Sequence, residues 1–85
     1  MQTPHIHPNG SGRDTLKAQF LKALDLLAAA EGAMANAYPH GRDYCLLPDD
    51  AFATARAEHQ ARMDAIQKLK TEYKELYRAC LFAKA

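Results

Sequence analysis

Glu31 is the residue whose position most invites a chemical reading, because it falls among the apolar residues Leu24, Leu27 and Met34 of a predicted helix. A carboxyl on such a face is either an acid tuned for catalysis or a polar partner that fixes how two helices align. Counting along an antiparallel pair places Arg56 and His59 near it, and Glu31 with His59 reads as a register pair. The other polar groupings are weaker. His5 and His7 form H-x-H, but two ligands do not make a metal site and no second pair stands at ligand spacing, so no metal or other cofactor is expected. Cys45, His40 and Asp43 contain the residue types of a thiol nucleophile with its base, yet they crowd one short loop without an oxyanion-binding feature. Ser11 between two glycines reads as a helix cap, with Asp14 in the first turn that follows. No catalytic residue is assigned, and the chain is read as not an enzyme.

Lys70, Lys74 and Arg78 form a cationic row beside Tyr73 and Tyr77, a pairing of charge and ring that could grip a single-stranded nucleic acid. Glu72 and Glu75 dilute that field, so a solvated helix face is the favoured reading and nucleic acid the alternative. The composition agrees: 11 Lys and Arg against 10 Asp and Glu leave a formal charge of +1, too little to draw in a polyanion from a distance. In the loop, Arg42, Asp43 and Tyr44 are the first candidates for contact with a partner, against a simpler role as a clasp between helices, with Gly41 able to supply a positive φ.

These residues need elements to hold them. Eighty-five residues make one domain with a thin core. Helix formers dominate, there is no Trp, and Val is absent, which argues against a sheet. Residues 1–12 carry the Pro, Gly and Asn of a tail. From Asp14 the apolar residues Leu16, Phe20, Leu24, Leu27 and Met34 recur at three- and four-residue steps, predicting a helix over 14–38 that Pro39 ends. A loop at 39–49 leads to an Asp49 or Asp50 cap and a helix over 50–83. Phe52, His59, Ile66, Tyr73 and Cys80 recur every seven residues there, and Phe52, His59, Ile66 and Leu69 are assigned to the core seam. The fold class is therefore all-α, an antiparallel hairpin of two long helices. Glu58 with Arg62 and Asp64 with Lys68 have the spacing of supporting ion pairs.

A short connection would leave the end of the longer helix projecting past its companion. Tyr73, Leu76, Tyr77, Cys80, Leu81 and Phe82 would then form an apolar surface needing cover, supplied by a second copy in a four-helix bundle or coiled coil. A homodimer is the expected partner and another protein the alternative. Cys45 and Cys80, about 50 Å apart along such a helix, are read as free thiols in a reducing compartment. With neither a signal peptide nor an apolar run of spanning length in view, the expected location is the cytoplasm and no membrane is implied.

The stretches HIHPNGS at His5 to Ser11 and PHGRDY at Pro39 to Tyr44, with the E-H-x-x-R of Glu58, His59 and Arg62, resemble short helical proteins encoded by bacterial phages and prophages. The resemblance implies a phage-associated accessory role and carries no catalytic residue with it.

Overall fold

A computed structural model of the protein describes residues 1–5 and 12–82, and these form an all-helical hairpin. Helix α1 spans Arg13–Asn36 and helix α2 spans Ala51–Phe82, with one 3₁₀ turn, Gly41–Asp43, between them. The predicted bounds, 14–38 and 50–83, differ by a residue or two at each end. Ser11 lies outside the described residues. The N-cap position is Gly12, in extended conformation with no side-chain cap, and its carbonyl accepts from the Leu16 amide at 3.2 Å. Asp14 in the first turn faces the positive end of the helix dipole. Approaching Pro39, the helix tightens: the Ala37 amide donates to Met34 and the Tyr38 amide to Ala35, three residues back rather than four. At α2 the Asp50 carbonyl accepts from the Thr54 amide at 2.9 Å, which fixes the start of that helix.

The seam between the helices runs in a different register from the expected one. Phe20 lies against Tyr73 with ring centroids 6.2 Å apart, and Tyr38 meets His59 edge-on at 5.3 Å. Seven residues before Phe20 is Arg13 and seven after Tyr73 is Cys80, so the start of α1 is level with the last turn of α2. The expected neighbour of Leu16, Glu72, is about two turns away from that level. The surplus length of α2, 32 residues against 24, sits at the loop end instead. It is covered there because the connection does not reverse at once. The chain turns through Gly41–Asp43, the Asp43 amide donating to His40 and the Tyr44 amide to Gly41, and Tyr44 comes to rest 5.9 Å from the Phe52 ring. Gly41 sits against the same ring, where an added Cβ would be in ordinary contact at 3.5 Å. No described residue has the positive φ that the loop sequence suggested for Gly41.

A hairpin has one seam and no third layer, so little is sealed from water. Among the described residues only His59, Ile66 and Cys80 are buried, all from α2 and all in the heptad row. Phe52 at the head of the row is half-buried. Leu69, assigned to the seam with them, is 45% exposed. Three residues past Ile66, it is turned about 60° out of the row, to one flank.

Such a narrow core makes stability uneven along the chain. Ile66→Ala is expected to cost about 2–5 kcal/mol in denaturant unfolding, while Leu21→Ala, at an exposed position on α1, costs under about 1 kcal/mol. Equal costs at the two positions would mean that the core lies elsewhere.

Candidate functional site

Glu31 pairs with Lys70 and not with His59. The Lys70 ammonium donates to Oε1 at 2.7 Å, and both side chains are about one-fifth exposed, at 21% and 22%. The expected partner was displaced by the register. With α1 moved along α2, Lys70 comes within reach of its long stem, and His59 turns to the Tyr38 ring. This is the one ion pair among the described residues, and it joins the two helices. The hydrogen bond from Lys70 holds the Glu31 carboxyl below its ordinary value of 4.5, with Lys70's charge, Gln67 and Lys74 acting in the same direction and burial acting against them. Glu31, Gln67, Lys70, Thr71 and Lys74 line a polar cleft at this point. The carboxyl is thus a stabilised anion already neutralised by a cation, the reverse of an acid raised toward neutral pH for proton transfer.

No other expected cluster assembles into a reactive site. His59 is buried against the Tyr38 ring, and among the described residues no ion pair joins it to an acid. The Cys45 thiol donates to the Arg42 carbonyl at 3.3 Å and forms a turn within the loop rather than facing a base. Among the described residues no three His, Cys, Asp or Glu side chains converge as metal ligands; His5 is exposed, and His7 lies outside the described residues. Lys70 of the basic row is committed to Glu31, which leaves Lys74 and Arg78 as its exposed members. In the loop, Arg42 and Asp43 are exposed and form no ion pair, while Tyr44 packs on Phe52; the clasp between loop and helix is aromatic, not ionic. Arg56 lies over the other ring of this contact, 4.8 Å from the Phe52 centroid.

The expected interface at the end of α2 is mostly interior. Cys80 has no exposed surface, Tyr73 packs on Phe20, and Leu76 and Tyr77 are half-buried. Leu81 and Phe82, at 40% and 78%, remain in water. Besides Leu46 and Leu47 in the loop and Leu21 on α1, exposed apolar side chains lie along one flank of the hairpin, Leu69 among them although the interleaved spacing had assigned it to the seam. Leu26 is 61% exposed on α1, and Leu69 is the matching leucine of α2. Ala30 and Ala33 on α1 and Ala65 on α2 are exposed as well. In an antiparallel pair, residues displaced in the same angular sense from their two seams fall on the same side, which puts Leu26, Ala30 and Leu69 on one flank and Lys70 and Lys74 on the other. Sequence reasoning could have found this flank through the exposed-side alanines of α1, but only once the register was known.

No known protein family, characterised protein or solved structure matches the chain. Among the described residues no helix is long and apolar enough to cross a membrane.

The ion pair has a testable pH signature. A carboxyl whose folded pKa is lowered adds stability above its unfolded pKa and loses it as the pH falls through the folded value. Glu31→Gln is therefore expected to be less stable than the wild type at pH 7. The gap should stay constant down to about pH 4.5, the ordinary carboxyl value, and close in stronger acid. A gap in melting temperature that persists unchanged in acid would show that the charge of Glu31 plays no part.

Proposed function

We propose that this chain is a non-enzymatic protein–protein interaction module that operates as a self-associated helical bundle, in a phage-associated accessory role as its sequence resemblance implies. The observation that carries this reading is the amount of surface left uncovered. The chain exposes 6331 Å², whereas a compact monomer of 9.4 kDa would expose about 5,000 Å². Its radius of gyration of 18.7 Å compares with about 12 Å for a globule of this length. The surplus, on the order of 1,000 Å², is of the size that one partner contributes to a stable interface, about 800 Å².

The polar groups support the non-enzymatic half of the reading. The best-placed carboxyl is held as an anion by Lys70, and neither the His59 nor the Cys45 surroundings offer a base, nucleophile and oxyanion donor together. A second copy is favoured over nucleic acid, because the uncovered leucine flank is apolar and the basic row lies on the other flank, with Lys70 already paired to Glu31.

Light scattering coupled to size-exclusion chromatography tests this directly. The expected mass is that of a dimer at micromolar concentration, falling toward that of a monomer on dilution. A strict monomer at millimolar concentration would overturn it.

A further inference from the structure

Helix α2 carries along one flank a strip whose order of side chains is complementary to itself. Arg62, Ala65, Leu69 and Glu72 lie within about 80° of one another at 100° per residue. Arg62 and Glu72 are equidistant from Gln67, and so are Ala65 and Leu69. Laid antiparallel on a second copy about that point, Arg62 faces the partner's Glu72 and Leu69 enters the space over the partner's Ala65. Among the described residues neither Arg62 nor Glu72 forms an ion pair, although Glu58 stands four residues from Arg62. Both charges are therefore free to pair outward.

Helix α1 repeats the pattern at the same level. In the observed seam, with Phe20 opposite Tyr73 and Tyr38 opposite His59, Gln67 falls within a residue or two of Ala30. Leu26, Ala30 and Ala33 share a strip on the same flank as Leu69, and Leu26 and Ala33 stand four and three residues either side of Ala30. One two-fold axis thus sets Ala30 near its own copy, where a small side chain lets the backbones approach, and brings Leu26 over the partner's Ala33. A surface that pairs with itself on both helices about one axis is what an isologous dimer requires.

We propose that the flank carrying Leu26, Ala30, Leu69 and the Arg62–Glu72 strip is the docking site for a second copy of this chain, antiparallel and two-fold symmetric, giving a four-helix bundle. The proposal rests on the self-association argued above and adds its face and orientation. The committed occupant follows from the charge pattern: a leucine row bracketed by one cation and one anion in this order fits its own reverse, and it would set like charges together in a parallel pairing about the same strip.

The test is sedimentation equilibrium on the full chain. Arg62→Glu and Glu72→Arg are each expected to weaken the dimer about tenfold, since each replaces two attractions across the axis with two repulsions. The doubly exchanged protein should return to within about twofold of the wild type. Leu69→Asp should leave a monomer that keeps its helical circular dichroism. A wild-type dimer indifferent to all three changes would overturn the assigned face while leaving self-association standing. A dimer weakened by both single reversals and not restored by the exchange would overturn the antiparallel arrangement, and a wild type that never dimerises would remove the reading on which both rest.

Discussion

The register in which α1 lies along α2 decides which side chains of this protein are inside and which are left to water. With only two helices, a shift of one or two turns changes every partner on the seam, because no third layer is present to enclose whatever the shift uncovers. Phe20 on Tyr73, Tyr38 on His59 and Glu31 on Lys70 are the contacts that hold it, spread along the length of α1. The first two are rings that lock by shape. The third is a charge pair that a neighbouring register would break, leaving a partly buried carboxylate without its cation. From this alignment it follows that Cys80 is enclosed at one end and that the surplus of α2 is left for the loop to cover at the other.

The heptad row was legible in the residues themselves. His59, Ile66, Tyr73 and Cys80 turn inward and Phe52 turns toward the loop, and the fold class and the approximate ends of both helices follow from periodicity, Pro39 and the aspartates before α2. The register was not legible, because it depends on the path of the connection at residues 37–50. Whether Tyr44 turns back onto Phe52 or points to solvent cannot be told from spacing, yet it shifts the pairing by more than a turn. The partner of Glu31 was misassigned for the same reason, helped by the reach of a lysine stem, which lets Lys70 serve a carboxyl that is not directly opposite. Leu69 was placed in the seam by its interleaved spacing. A seam one row wide has no room for it.

The same narrowness connects structure with function. Among its described residues the chain gathers no three His, Cys, Asp or Glu side chains as metal ligands, and it leaves a leucine of each helix exposed on one flank. The two flanks differ in character: one holds the Glu31–Lys70 pair with Gln67 and Lys74, while the other holds Leu26, Ala30 and Leu69. Desolvating the second costs little and desolvating the first costs charge hydration, so the bundle proposed above would add its further layer on the second. The loop end exposes Leu46 and Arg42 as well.

Alignment of the helices is best measured by the distance between spin labels at Asp14→Cys and Glu58→Cys, with Cys45 replaced by Ser and labelled protein diluted into unlabelled. Both positions are exposed, and Asp14 stands at the end of the hairpin away from the loop. The register set by Phe20 on Tyr73 places Asp14 level with Ala79, about 21 residues and so about 32 Å along α2 from Glu58, whereas a register that left the end of α2 projecting would bring the pair to about 24 Å. A distribution centred near 34 Å agrees with the account, and one centred near 25 Å contradicts it.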